Sequence, residues 1–141
     1  MFRSLMAAVL ILLGACLWYP GNASAGDAGE FRRIIAEQIA AFNADDGTRA
    51  FSYATPVLQQ VFRTPENFMA MVKKGYQPVY RQKSYQFADV SADSAGRPVQ
   101  KVIFVDRNGK VWTAIYSFEK QPDGSWRIGG CVLVEPDGAD A

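Results

Sequence analysis

Two short turn signals in the second half of the chain most constrain what it can fold into. Asn108-Gly109 is the two-residue signature of a type I′ hairpin, and Pro122-Asp123-Gly124 fits a type I turn followed by a glycine bulge. The segments that these turns separate are rich in β-branched and aromatic residues, which favour extended backbone. The sequence therefore predicts three consecutive antiparallel strands, over 98–106, 110–120 and 126–135.

A hairpin turn also fixes which residues face each other and which side of the sheet each side chain occupies. The two-residue turn pairs Val105 with Trp112. The second turn sets Glu119 opposite Arg127, where we expect a cross-strand ion pair. One face, the expected seat of the helices, then carries Ile103, Val105, Trp112, Ala114, Tyr116, Phe118, Ile128, Val132 and Val134. The other face carries Val102, Phe104, Thr113, Ile115, Cys131 and Leu133.

Two parts of the predicted sheet are less regular. A further strand is predicted over 80–90, with Tyr85 and Phe87 on one side. Gly129-Gly130 lies inside the last strand, which indicates a bulge or a close approach by a bulky neighbour such as Tyr116.

The second sheet face is too apolar to be left in water, because a sheet wetted on one side shows polar alternation. Burying six such side chains at about 1.5 kcal/mol each supplies about 9 kcal/mol before ordering costs. The sequence therefore predicts a homodimer of apposed sheets, formed through Val102, Phe104, Ile115, Cys131 and Leu133.

The first half of the mature chain has the periodicity of helices. An apolar stripe predicts a helix over 30–44, through Phe31, Ile34, Ile35, Ile39 and Phe42. Thr64-Pro65-Glu66 is a start signal for another helix, which Gly75 ends. Shorter helical segments are expected between them, one capped by Asp45 or Asp46 and one over 57–62. The predicted fold class is α+β, with N-terminal helices packed on a curved antiparallel sheet.

The beginning of the chain has the order of a secretory signal peptide. Arg3 precedes an apolar run over 5–19, and the triplet Ala23-Ser24-Ala25 follows as an A-x-A cleavage site. The run is shorter than the roughly 20 residues of a membrane-spanning helix. We therefore expect residues 1–25 to be removed and 26–141 to form a single exported domain, periplasmic or secreted. A lipid anchor at Cys16 is the alternative, since Leu13-Gly14-Ala15-Cys16 is compatible with lipoprotein processing.

Composition excludes several kinds of function. All 14 acidic residues and 14 of the 15 basic residues follow residue 25, so the mature domain is formally neutral and offers no basic face to nucleic acid. The chain has no histidine, which excludes a Ser-His-Asp triad, a Cys-His pair and a histidine-ligated metal. No residue is predicted to be catalytic, and neither a metal nor a cofactor is expected. Cys131, the cysteine left after cleavage, is expected to be a packed strand residue.

The pattern resembles a known family in four stretches, which share packing and capping residues: Phe42-Asn43-Ala44-Asp45-Asp46, Ala50-Phe51-Ser52-Tyr53-Ala54-Thr55-Pro56, Thr64-Pro65-Glu66-Asn67-Phe68 and Gly124-Ser125-Trp126-Arg127-Ile128. Over about 30–134 the chain is similar to exported bacterial proteins catalogued as domain of unknown function family 4864. It also resembles the wider nuclear transport factor 2-like (cystatin-like) superfamily. That resemblance implies a cone-shaped sheet wrapped around helices. Enzymes of the superfamily often use an aspartate or a histidine in the cone, and no motif here places an aspartate there.

The aromatic residues supply the candidate ligand site. Tyr53, Tyr80, Trp112 and Tyr116, together with Tyr76, are expected at the open end of the cone, where they offer hydroxyls to an apolar guest. The alternative is that they simply fill the core. Two functional hypotheses follow: a non-catalytic dimeric domain that binds a small apolar ligand or an envelope partner, and a small ketosteroid-isomerase-like enzyme that uses a pocket aspartate or tyrosine.

Overall fold

Helices come first and strands second, as the sequence pattern predicts. The computed structural model describes residues 25–135. The helices are α1 (Ala25–Asn43), α2 (Gly47–Ser52), α3 (Pro56–Phe62), α4 (Pro65–Gly75) and α5 (Gln77–Tyr80). The strands are β1 (Ser84–Ala92), β2 (Pro98–Val105), β3 (Val111–Lys120) and β4 (Trp126–Val134). The predicted signal peptide, with Cys16, lies outside the described residues, except for Ala25, at which α1 begins.

The helix starts are set by side-chain caps that the sequence displays. The side chains of Asp46, Thr55 and Thr64 accept hydrogen bonds from the first-turn amides of α2, α3 and α4, respectively. Proline follows both threonines at the first helical position, where it lacks an amide that would otherwise be unsatisfied. The predicted bounds of α4 are confirmed, whereas α5 was not predicted. In the described part of the chain, no helix is long and apolar enough to cross a membrane.

The four strands form one curved antiparallel sheet in the order β1-β2-β3-β4, which confirms the α+β class. The second turn is as predicted: Gly124 has a φ of 84°, and Glu119 lies opposite Arg127. The ion pair expected there does not form. Arg127 instead donates to the carbonyl oxygens of Ser52 and Ala54, at 3.2 and 3.3 Å.

The first turn differs from the prediction by one residue. The Asp106 amide donates to the Lys110 carbonyl oxygen at 2.8 Å, so the loop contains three residues and ends at Gly109, with a φ of 82°. The Asp106 carboxylate accepts hydrogen bonds from the amides of Asn108 and Lys110, each at 2.9 Å, and stabilises this longer loop. Val105 consequently pairs with Val111, and the predicted type I′ register is wrong.

Strand β4 changes face at a bulge. Gly130 pairs with Ser117 and Ile128 with Phe118, so Gly129 is the extra residue, and the predicted bulge is confirmed. A Cβ atom at Gly129 would lie 2.5 Å from Oε2 of Glu119. The close neighbour is therefore Glu119 and not Tyr116.

These two one-residue differences correct the predicted sheet faces. Val102 and Phe104 are 0% exposed and belong to the core under the helices, and Cys131 and Leu133 pack against that core. Of the five residues predicted to form the dimer contact, only Ile115 lies on the opposite side. That side, hereafter the outer face, carries Ile103, Val105, Val111, Ile115, Val132 and Val134.

The helices cover the inner face mainly through aromatic contacts. Phe31 of α1 stacks on Phe118 of β3 with ring centroids 4.3 Å apart, and its edge meets Trp126 at 5.0 Å. Phe68 of α4 packs between Phe42 and Phe51. Such pairs stabilise a core beyond the area that they bury.

Two alanine substitutions on one strand test this assignment of faces. We expect Val102→Ala to lower the free energy of unfolding by about 2 kcal/mol, because it removes fully buried methyl groups. Val105→Ala, on the outer face, should lower it by less than about 0.5 kcal/mol. Urea unfolding followed by tryptophan fluorescence at low protein concentration measures both. In the type I′ register Val105 would face the helices instead, so Val105→Ala would then lower the free energy of unfolding more than Val102→Ala.

Candidate functional site

The described residues line a half-open cavity of about 220 Å³ between the helices and strands β3 and β4. Most of its wall is apolar, with side chains from α3, α4 and α5: Leu58, Phe62, Phe68, Met71, Val72 and Val79. Such a wall favours an apolar occupant, because it offers water few hydrogen bonds.

A short parallel bridge holds the wall in place. Ala54 pairs with Ile128. The Thr55 amide donates to the Ile128 carbonyl oxygen at 3.0 Å, and the Ile128 amide donates to the backbone carbonyl oxygen of Tyr53 at 2.8 Å. The bridge fastens the segment between α2 and α3 to the free edge of β4. It thereby positions α3 at the side of the cavity.

Helix α3 covers one side of the cavity but is itself weakly packed. None of its residues is buried, and Val57 and Val61 are 66% and 65% exposed. Leu58 and Phe62, on its other side, line the cavity and are half-buried. The helix therefore has few buried contacts to hold it closed, which is typical of segments that open locally.

Tyr116 supplies the most unusual polar group at the cavity. The residue is 1% exposed, and in the described part of the chain its hydroxyl makes no hydrogen bond of normal geometry; its polar neighbour is the Cys131 thiol, a weak acceptor. Two other buried side-chain oxygens there share this property, those of Gln82 and Gln100, but neither residue lines the cavity. A buried hydroxyl without a partner destabilises a fold, so this one calls for an explanation.

Cys131 lies directly opposite Tyr116 in the register of β3 and β4. Its carbonyl oxygen accepts a hydrogen bond of 2.8 Å from the Tyr76 hydroxyl, and all three residues line the cavity. Although Cys131 as a residue is half-buried, loss of water around its sulfur raises the pKa of the thiol to about 12. Burial also raises the pKa of Tyr116 well above its usual value. Both groups are therefore neutral at physiological pH, and the thiol is no nucleophile.

Of the four tyrosine and tryptophan residues predicted to share a pocket, only Tyr116 lines this cavity. The Tyr53 hydroxyl points to the exposed side of α1, where it donates to Glu37 at 3.0 Å and accepts from Arg49 at 3.2 Å. Hydrogen bonds from Arg33 and then from Tyr53 lower the pKa of Glu37.

Tyr80 and Trp112 have surface partners as well. The Tyr80 hydroxyl donates to Asp45, and the Arg81 guanidinium lies 3.9 Å from the centre of the Tyr80 ring. The Trp112 indole donates to Asp106 at 3.0 Å, next to the first hairpin turn, and its hydrogen bond lowers the pKa of that carboxyl. In each case the polar tip of the ring binds an exposed carboxylate, and the ring stays outside the cavity.

Gln38 is a cavity residue that the sequence reasoning missed. It is buried, and its amide nitrogen donates to the Ala50 carbonyl oxygen at 3.1 Å, which joins α1 to α2. Its position four residues after Ile34 and three after Ile35, on the apolar stripe of the first helix, was the available signal.

The polar groups at the cavity wall are few. Within residues 25–135 no carboxylate lines the cavity, and no group of three or more cysteine, aspartate or glutamate side chains is placed to hold a metal ion. The aspartate that an isomerase-like mechanism would need is not among the lining residues. The wall does offer a neutral phenol that can donate a hydrogen bond.

Fold and cavity together define an α+β domain with a half-open apolar cavity between its helices and one face of a four-stranded antiparallel sheet. The chain belongs to the family described as Domain of unknown function (DUF4864), whose family model matches residues 24–141. This is the family that the sequence resembles. No curated protein and no solved structure matches the chain.

Proposed function

We propose that this protein is a non-catalytic binding domain whose cavity takes up one small, mostly apolar molecule. The observation that carries the proposal is the apolar cavity of about 220 Å³. An engineered cavity of about 150 Å³ with a similar lining binds benzene, whereas drug-sized sites begin near about 300 Å³. If the number of non-hydrogen atoms scales with cavity volume, from six for benzene, this cavity suits a molecule of roughly nine non-hydrogen atoms.

Entry past α3 is the route that the packing favours. Its side chains Leu58 and Phe62 cover the cavity, while its remaining surface faces water. Moving this helix breaks few buried contacts, because Leu58 and Phe62 are half-buried and none of its residues is fully buried. We infer that α3 opens to admit the ligand and closes behind it.

A pair of tryptophan substitutions on α3 tests cavity binding with α-methylstyrene, an apolar probe of nine non-hydrogen atoms. We expect the wild-type chain to bind it with a dissociation constant of about 0.1–1 mM, as its size allows. Leu58→Trp fills part of the cavity and should weaken binding at least about tenfold. Titration followed by nitrogen-15 amide shifts locates and measures the binding.

Val57→Trp is the matched control, because it adds the same bulk one residue away on the exposed side of α3. It should bind the probe as the wild type does. Absence of saturable shifts at the cavity in the wild type, or equal affinities for the two variants, would contradict the proposal.

We also propose that the domain is a member of the nuclear transport factor 2-like superfamily. Helices on the inner face of a curved antiparallel sheet, with a cavity between them, support this placement. The proposed location is outside the cytoplasm, periplasmic or secreted, with residues 26–141 as the mature domain. The order of charge, apolar run and small residues in 1–25 supports export.

The outer face supports a homodimer, though through a different set of residues from the one that the sequence predicted. Val132 is 59% exposed, Val111 is 39% exposed and Val134 is 38% exposed, beside half-buried Ile103 and Ile115. A two-fold axis lets one apolar patch cover its own copy. We infer that two sheets pack face to face through this surface.

Size-exclusion chromatography with light scattering tests the dimer. We expect a dimer mass at about 10 μM for the wild type and a monomer mass for Val132→Lys, because a charge would be buried in the contact. Val57→Lys, at a similarly exposed valine on α3, should remain dimeric. A monomeric wild type, or dissociation of both variants, would exclude this dimer.

A further inference from the structure

We propose that the Tyr116 hydroxyl is the group by which the cavity recognises its ligand, and that this ligand is an uncharged molecule carrying a ketone, aldehyde or ester carbonyl oxygen. The inference rests on the proposed function, since it names the chemistry of the molecule that the cavity takes up. It is carried by one observation, a fully buried hydroxyl beside an apolar cavity that makes no hydrogen bond of normal geometry in the described part of the chain and has only the weakly accepting Cys131 thiol as its polar neighbour.

The hydroxyl is suited to donate. Burial keeps the phenol protonated at neutral pH, as the raised pKa of Tyr116 shows. The neighbouring Tyr76 hydroxyl already donates to the Cys131 carbonyl oxygen at 2.8 Å. A ligand oxygen would give the Tyr116 proton a stronger acceptor than the neighbouring Cys131 sulfur.

The wall selects a carbonyl over other oxygen groups. A carboxylate would enter without a cation, since neither lysine nor arginine is among the described residues that line the cavity. An alcohol or a primary amide would bring its own proton and require a second acceptor, which on this wall would be the side-chain oxygen of Gln38 or the hydroxyl oxygen of Tyr76. The Cys131 carbonyl oxygen already accepts from Tyr76, and a thiol sulfur is a weak acceptor. A carbonyl oxygen accepts and brings no proton that needs a partner.

Cys131 controls access to the hydroxyl. The two residues are cross-strand partners, and burial leaves the thiol beside the Tyr116 hydroxyl as its nearest polar neighbour on that strand. Rotation about the single Cα–Cβ bond of the cysteine side chain moves the sulfur aside. The ligand oxygen then takes the place of the sulfur next to the hydroxyl.

Acetophenone and α-methylstyrene form a matched pair of probes, because they differ only in a C=O group in place of a C=CH₂ group. Both are titrated against the wild type and Tyr116→Phe, by amide shifts. We expect Tyr116→Phe to weaken acetophenone about tenfold and to leave α-methylstyrene unchanged, since one hydrogen bond is lost. Comparing variants for each probe removes the difference in hydration between the two probes. Benzoate, the charged analogue, should not bind.

The unliganded variant gives an independent readout. Tyr116→Phe removes an unsatisfied hydroxyl, so we expect its urea midpoint to rise. A tyrosine with only a structural role would show a fall.

The wild type alone also tests the hydrogen bond. The carbon-13 resonance of labelled acetophenone carbonyl should move downfield on binding, relative to its position in hexane, as it does for a carbonyl that accepts a hydrogen bond. If neither probe binds the wild type, the proposed function itself fails. If both bind, but Tyr116→Phe holds acetophenone as tightly and the carbonyl resonance stays at its hexane position, only the present inference is overturned.

Discussion

The number of residues at two places in the sheet determines the rest of the structure. A three-residue loop precedes Lys110, and one additional residue, Gly129, interrupts the pairing of β3 with β4. Because side chains alternate along a strand, one residue more or fewer moves every following side chain to the other face. These two places bring Val102 and Phe104 under the helices and set Cys131 opposite Tyr116.

The same register also places three polar residues next to one another, one on each of three strands, across the otherwise apolar inner face of the sheet. Gln100 of β2, Tyr116 of β3 and Cys131 of β4 are consecutive cross-strand partners. The Gln100 amide nitrogen donates to the carbonyl oxygens of Ala88 and Lys101 at 2.8 Å each, which secures the bulge in β1. The Tyr116 ring belongs to the core, but among the described residues its hydroxyl secures no backbone group in this way. A residue that breaks the rule of satisfied buried groups, at the edge of a cavity, is typical of a functional position.

Much of the architecture was readable from the sequence because its causes are local. Thr64 and Pro65 mark the start of α4, and Pro122-Asp123-Gly124 marks a turn of the expected type. The turn at Asn108-Gly109 was misassigned because the Asp106 side chain, two residues earlier, stabilises a longer loop. The Asn108-Gly109 dipeptide, taken alone, carries no information about Asp106.

The candidate site was readable only in part because its members are defined by partners far away in the chain. Tyr80 binds Asp45, 35 residues earlier, and Tyr53 binds Glu37, so both rings are drawn away from the cavity. Tyr116, by contrast, was placed on the correct face by strand alternation alone. That its hydroxyl lacks a partner depends on the neighbours from β2 and β4, which no spacing along one strand reveals.

A crystal structure of the protein grown with acetophenone is the most direct test of the claim that this register forms an apolar cavity in which the Tyr116 hydroxyl can donate to a ligand. The account predicts the ligand inside the cavity, with its carbonyl oxygen about 2.7 Å from the Tyr116 oxygen and Val105 facing Val111. A ligand whose carbonyl points into solvent, or strands in which Val105 faces Trp112, would contradict it.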